Sequence, residues 1–230
     1  MNGNRKDLQL TIIMPCRNEA ATVGLSVDEA KTMLDRSGIS GEILVVDNAS
    51  DDHSGKAAEE HGARVVSEDS VGYGNAIRRG IREAWGEVLV IGDCDTTYDF
   101  SYAENMFRMI EKDGFDLVIG DRFVLPMEKG AMSLSHKIGV RFLSALGRIR
   151  FRTDVHDFHC GLRAIRKDAT DKINLHTTGM EFATEMIAQA AKCSLSIGQL
   201  PVPLRTCKLS RKSKLHTLRD GMRHLLYILK

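Results

Sequence analysis

The chain has 230 residues, 43% of them apolar, enough to bury one substantial core and suited to a single α/β domain with an appended element. Five cysteines without a Cys-x-x-Cys pair argue against a disulfide framework or a zinc ribbon, and no apolar run approaches the roughly 20 residues that span a bilayer. The formal charge of +1 hides a division: residues 1–120 carry 12 Lys+Arg against 22 Asp+Glu, and residues 121–230 carry 20 against 9. An acidic half suits a cation; a basic half suits phosphate, an acidic membrane surface or nucleic acid.

Strand-like apolar runs recur at Leu10–Met14, Glu42–Val46, Ala63–Val66, Glu87–Ile91 and Asp116–Ile119, with helical-period segments between them. That alternation predicts a mostly parallel sheet with helices on its faces. The first strand runs into Pro15-Cys16-Arg17-Asn18-Glu19 without the glycine-rich turn of a dinucleotide fold, and Asn18 or Thr22 is placed to cap the next helix. The second ends in Asp47-Asn48-Ala49-Ser50-Asp51-Asp52. Gly72–Trp85 reads as a helix with Ala76, Ile77, Ile81 and Ala84 on one stripe, and its Gly72-Tyr-Gly74 start has too few glycines for a dinucleotide fingerprint.

The fourth strand stops abruptly at Asp93-Cys94-Asp95. Carboxylates at the carboxyl edge of an open α/β sheet face the ligand crevice, and as hard oxygen donors they suit Mg²⁺ or Mn²⁺ bridging a diphosphate. The plainer alternative is aspartates capping the helix near Ser101. Past residue 121 the pattern reads as basic amphipathic helices and loops. Leu215, Leu218, Met222, Leu225, Leu226 and Leu229 recur at helical spacing among Arg211, Lys212, Lys214, Arg219, Arg223 and Lys230. Such a helix lies on an anionic membrane or packs on the catalytic domain or a partner subunit.

These strand ends, followed by Gly72-Tyr-Gly74-Asn75-Ala, Gly120-Asp-Arg122-Phe, Asp157-Phe-His-Cys-Gly161-Leu-Arg163-Ala, Gly179-Met-Glu181-Phe and Leu200-Pro-Val-Pro-Leu-Arg205, resemble glycosyltransferase family 2 with the GT-A fold, in order over nearly the whole chain. The later motifs and Arg211-Lys-Ser213-Lys214 are most similar to polyprenyl-phosphate sugar transferases of the dolichyl-phosphate mannose synthase type. Asp93-Cys-Asp95-Thr-Thr departs from the commoner Asp-Ala-Asp followed by Gln or Gly. The resemblance implies an α/β, Rossmann-like mixed sheet, mostly parallel, with helices on both faces. It implies a catalytic domain over 1–210, with a nucleotide-sugar half (1–120) and an acceptor half (121–210), and a basic amphipathic helix over 211–230.

Carried over by position, it implies that Pro15, Arg17 and Glu19 line the nucleotide pocket, that Asp47 reads base or ribose, and that Asn75 and Asp93 contact the donor. Asp95, with Asp93, holds the Mg²⁺ or Mn²⁺. Arg122, Lys137 and Arg141 are the candidate cations for an acceptor phosphate, and Asp95 and Arg122 are expected to carry catalysis. His156, His159, Cys160, Asp154 and Asp157 have zinc-like chemistry but lie in one compact run, so an acceptor-side loop is preferred. Glu181 and Glu185 share a helix face, either as a base for a hydroxyl acceptor or as structural hydrogen-bonding groups.

The expected activity is inverting transfer of a sugar from a UDP- or GDP-sugar to a polyprenyl phosphate, for cell-envelope glycan or glycoconjugate synthesis. The expected place is the cytoplasm, peripheral on the inner membrane face, with a second copy or a small membrane protein as candidate partners and no nucleic acid. The rivals are a family 2 transferase with a sugar or protein hydroxyl acceptor, a nucleotidyltransferase, and a catalytically silent binding subunit.

Overall fold

The computed structural model describes residues 8–209 and 217–230. The elements are β1 (Leu10–Cys16), α1 (Val23–Ser37), β2 (Gly41–Asp47), α2 (Ser54–Glu60), β3 (Arg64–Ser67), α3 (Tyr73–Glu83), β4 (Val88–Ile91), α4 (Tyr102–Glu111), β5 (Leu117–Asp121), α5 (Leu134–Phe151), β6 (Arg163–Arg166), α6 (Lys167–Thr170), α7 (Phe182–Lys192), β7 (Ile197–Pro201) and α8 (Thr217–Leu229). The sheet order is β3-β2-β1-β4-β6-β5-β7. Every pairing is parallel except those of β6, which runs antiparallel between β4 and β5.

The five expected strands are present. β1, β2 and β4 are near-continuous apolar runs because helices cover both faces of the sheet. Leu10, Ile12, Ile13 and Met14 are completely buried, and β1 sits between β2 and β4 at the centre of the core. Strands β6 and β7 correct the reading of the second half as helices and loops. Arg163-Ala-Ile-Arg166 disguises itself, since two of its four residues are arginines. Arg163 is buried and donates to the carbonyls of Cys160 and Ala183, while Arg166 donates to Ile110 O at 2.8 Å.

The apolar stripe of the C-terminal helix is not the side on which the helix docks. Packed against α5 and α7, α8 buries Asp220, His224 and Ile228, while Met222, Leu226 and Leu229 are more than half exposed. Leu215 and the basic run at 211–214 lie outside the described residues. The inversion follows from what α7 presents. Thr184 Oγ1 lies 2.7 Å from His224 Nδ1, and Arg223 donates to Glu181 Oε1 at 2.6 Å. The His159 ring meets His224 edge-on at 4.3 Å, so α8 is docked on the 157–161 loop as well. On α5, Leu134, Ile138, Phe142 and Ile149 are likewise exposed, although Ser133 caps the helix properly by accepting from His136 N.

Gly80 is where α3 meets the sheet, and a Cβ there would lie 2.4 Å from Ile13 Cγ2. Gly80→Ala gains about 1 kcal/mol of helix propensity but overpacks a rigid core, which costs about 1–3 kcal/mol. The clash wins, because a fully buried β-branched side chain has no room to move. A thermal melt should show a lower Tm; an unchanged or higher one contradicts this packing.

Burial pushes His224 down to about 4, against the pull of Glu181 and Asp220. The folded protein therefore holds this imidazole neutral, while the unfolded chain takes up a proton near 6.5. Stability falls as pH drops from about 6.5 to 4, by on the order of 3 kcal/mol, and this contribution is flat below that range. Burial and its cationic neighbours lower His159 in the same direction. Melts between pH 7 and 4.5 should show the loss, and His224→Gln should reduce its slope; an undiminished slope would remove His224 as its source.

Candidate active site

Six parallel strands, β1 to β5 and β7, deliver their carboxyl ends to one edge, and the loop entering β6 joins them from the opposite direction. The rim is laced by hydrogen bonds between strand ends. Asn48 N donates to Cys16 O at 2.7 Å and Gly92 N to Ile13 O at 3.1 Å, while Asn18 N donates to Ser50 Oγ at 3.0 Å. Asn18, Ala49 and Thr96 all adopt positive φ at these ends. Each non-glycine residue held there costs about 1–2 kcal/mol, and Thr96 is the sharpest outlier because it is β-branched.

Asp93 and Asp95 are half-buried just beyond β4, on either side of the buried Cys94. Cys94 Sγ points back to Pro15 O at 3.4 Å, and a hydrogen bond with Cys16, followed by burial, pushes its thiol well up. Asp95 Oδ1 accepts from Thr97 N at 3.0 Å and from Thr97 Oγ1, which holds its carboxylate at the strand tip. Asp93 hydrogen-bonds with the Tyr73 hydroxyl from the start of α3. Gly161 presses on it from the other side: a Cβ there would lie 2.6 Å from Asp93 Oδ2 and 3.0 Å from the Tyr98 ring. Gly161 is therefore required for close approach. Two carboxylates on an open edge fit a hard divalent cation, which would take its remaining oxygens from outside these two side chains.

The donor-side residues named from the sequence converge on this rim. Pro15 lies near the end of β1, the exposed Arg17 follows it, and Glu19 is buried with Thr22 Oγ1 donating to it. Asp47 ends β2 and accepts from Ser50 N at 3.1 Å. Asn75 is committed to its own turn, donating to Ser70 O and accepting from Arg78 Nη2. Thr22 occupies the N-cap position of α1 without a capping side-chain bond. A groove of about 570 Å³ lined by residues including Ser40, Arg64 and Trp85 lies at the amino edge of β2, away from these groups.

On the acceptor side, Arg122 departs from expectation. It is 6% exposed and forms a bidentate pair with the fully buried Asp157, Nε–Oδ2 at 2.6 Å and Nη2–Oδ1 at 2.8 Å. Its third nitrogen faces Tyr98 Oη at 3.5 Å. Burial, with the Asp157 charge acting the same way, pushes the Cys160 thiol up to about 12 against the lowering pull of Arg122. Lys137 is half-buried on α5, and the exposed Arg141 stacks over Phe123 at 4.9 Å. The zinc-like run does not converge: His156 turns to Asp121, His159 to Thr184, and Asp157 to Arg122. Among the described residues no group of three or more His, Cys, Asp or Glu is placed to hold a metal ion.

Glu185 is completely buried and its carboxylate is filled by His176 N, Thr177 N and Thr177 Oγ1, with His176 Nδ1 at 2.8 Å. It is a structural acceptor, the second of its two expected roles. Tyr98 also shapes the site: its oxygen accepts from Gly161 N at 2.7 Å and so ties the segment after Asp95 to the 157–161 loop. Its only sequence signal is an aromatic three residues beyond the second aspartate.

Residues 11–173 match the model of glycosyl transferase family 2. The chain is 30% identical over 221 residues to a low-salt glycan biosynthesis hexosyltransferase of Haloferax volcanii, covering 96% of this chain and 53% of that protein, so it spans about half that relative's length. It is 29% identical over 199 residues to a dolichyl-phosphate hexose transferase of the same organism, covering 85% and 82%. In three dimensions it resembles glucosyl-3-phosphoglycerate synthase from Mycobacterium tuberculosis in complex with Mn²⁺, UDP and glucosyl-3-phosphoglycerate, with TM-score 0.76, 21% identity and coverage of 97% and 79%. Mannosyl-3-phosphoglycerate synthase from Rubrobacter xylanophilus gives TM-score 0.70 at 20% identity, covering 98% and 74%. Identities this low speak to the fold alone. With β2 through β6 and the strand-end motifs inside the matched span, the chain belongs to glycosyltransferase family 2.

Proposed function

We propose that the chain is a metal-dependent inverting glycosyltransferase that moves a hexose from a nucleotide sugar to a polyprenyl phosphate. The observation that carries this reading is the state of the acceptor-side carboxylates. Glu185 is saturated with donors, Asp157 is locked to Arg122, and Glu181 is paired with Arg223. Neither Glu185 nor Asp157 is poised to take a proton from a hydroxyl, and Glu181, which keeps Oε2 without a partner, is buried. A phosphate acceptor arrives already ionised and needs only positioning beside the anomeric carbon. The similarity to a dolichyl-phosphate hexose transferase supports the same acceptor class.

Pro15, Arg17, Glu19, Asp47 and Asn75 then frame the nucleoside diphosphate, and Asp93 and Asp95 hold the cation. A divalent metal there supplies charge stabilisation to the departing nucleoside diphosphate. Neighbouring folds solved with Mn²⁺ and UDP support this assignment. Because Arg122 is spent on Asp157, it shapes the acceptor loop, and Lys137 and Arg141 are left to meet the acceptor phosphate. Radiolabelled sugar transfer to polyprenyl phosphate should proceed, fail with excess EDTA, and fall by at least about a hundredfold in Asp95→Asn. Transfer to the free polyprenol at a comparable rate, or full activity of Asp95→Asn, would refute the mechanism.

The same reading places the protein on a membrane surface through α5 and α8. Ile138, Phe142 and Ile149 are exposed on one helix and Met222, Leu226 and Leu229 on the other, with Arg141, Arg150, Arg219 and Lys230 exposed among them. Among the described residues no helix is long and apolar enough to cross a membrane. A face that mixes large apolar side chains with arginine suits an anionic bilayer surface. Each large apolar side chain is worth about 1.5–3 kcal/mol when fully transferred from water, so Phe142→Ser with Leu226→Ser should lower vesicle co-sedimentation by at least about tenfold. Added NaCl should lower it further through screening. Equal binding to neutral and anionic vesicles would contradict the electrostatic part.

A further inference from the structure

The loop between α6 and α7 is held from three elements at once. From α7, Glu185 accepts from His176 N at 3.1 Å and from Thr177 N at 2.9 Å. From α3, Arg78 donates to His176 O at 3.3 Å, and Gly74 N donates to Thr178 O at 3.0 Å. From α8, the Arg223 guanidinium lies so close to Gly179 that a Cβ there would meet it at 2.5 Å. The loop in turn presses on the start of α3. A Cβ on Gly72 would lie 2.2 Å from Thr178 O, and one on Gly74 would lie 2.3 Å from Thr177 O. Gly72 also has φ of +153°, a conformation that a side chain would strain.

Between those two glycines stands Tyr73, whose hydroxyl bonds Asp93. The loop therefore reaches the strand-tip carboxylate through one residue of α3. A buried carboxylate with no access to solvent cannot act on a substrate directly. It can fix geometry, because three donors and an imidazole define its position and its removal would strand all of them.

We propose that Glu185 is a positioning residue for donor binding: it braces the 176–178 loop against the Gly72–Gly74 turn, and through the Tyr73 hydroxyl it fixes the carboxylate of Asp93. The proposal rests on the reading of Asp93 as a donor and cation ligand. Groups that orient a metal-holding carboxylate characteristically change affinity by about 10–100-fold when removed. A residue that only stabilised the loop would move the melting temperature and leave that affinity alone.

The test is a double-mutant cycle in the full chain with Glu185→Gln, Tyr73→Phe and both together, titrating Mn²⁺ with UDP and with GDP by calorimetry. Each single variant should weaken binding of the Mn²⁺–nucleotide pair by about tenfold or more, and the double variant should lose little beyond the weaker-binding single, because both act along one path. Amide exchange at Gly74 and at 176–178 should quicken in Glu185→Gln and stay slow in Tyr73→Phe. Thr177→Val keeps the Glu185 charge but deletes one donor to it, and should give a smaller loss of the same kind even if Glu185→Gln fails to fold. Wild-type affinity in a folded Glu185→Gln or Thr177→Val, or losses that simply add, would overturn the proposal. A wild type that binds neither nucleotide with Mn²⁺ would instead refute the donor-site reading and this proposal with it.

Discussion

The buried pair of Arg122 and Asp157 organises the half of the rim that β6 enters. Placing both ions out of water costs several kcal/mol each, and the attraction between them offsets this only with good geometry and further hydrogen bonds. Both are present. The guanidinium bonds both carboxylate oxygens, and Asp157 Oδ1 also accepts from His159 N at 3.1 Å. The end of β5 is thereby fastened to the loop that carries Gly161, and Gly161 is pressed against Asp93. A pair of this kind is a weak source of net stability but a strong source of position, since breaking it leaves a buried charge at a cost of about 3–5 kcal/mol.

Position is also maintained at the cost of backbone strain. Asn18, Ala49 and Thr96 hold positive φ at the tips of β1, β2 and beyond β4, where the chain must turn sharply and expose carboxylates and amides to the crevice. Hydrogen bonds between the tips hold them there. Asn48 shows the economy of the arrangement, because its amide donates to Glu68 O and Ser70 O while its oxygen accepts from Gly72 N at 2.7 Å. One side chain at the end of β2 thus fixes the chain entering α3, and with it Tyr73.

The C-terminal helix joins two chemistries. Its inner side buries Asp220 and sets His224 against α7 and the 157–161 loop, while Met222, Leu226 and Leu229 are exposed like the apolar residues of α5. A helix docked only for stability would bury the leucines and expose the histidine. Here α7 offers Thr184 and Glu181, buried polar groups that need partners, and α8 supplies them at the expense of its own apolar burial.

Much of this protein is determined by sequence alone. The apolar runs of β1, β2 and β4 can only be strands covered on both faces, and Asp47, Asp93 and Asp95 must then lie at their carboxyl edges, because chain direction in a parallel sheet leaves no alternative. Periodicity likewise placed Ala76 and Ile77 inward on α3. Tertiary structure alone decided the rest. Arg163 reads as a solvated charge until the carbonyls of Cys160 and Ala183 enclose it and make a strand of its neighbours, and Arg122 reads as a free cation until Asp157, 35 residues away, closes on it. Glu185 and Tyr73 acquire meaning only through the loop between them. The physical reason is common to all four: local pattern reports which residues prefer water, whereas a buried polar group is placed by distant partners that satisfy it, and no short window of sequence contains them.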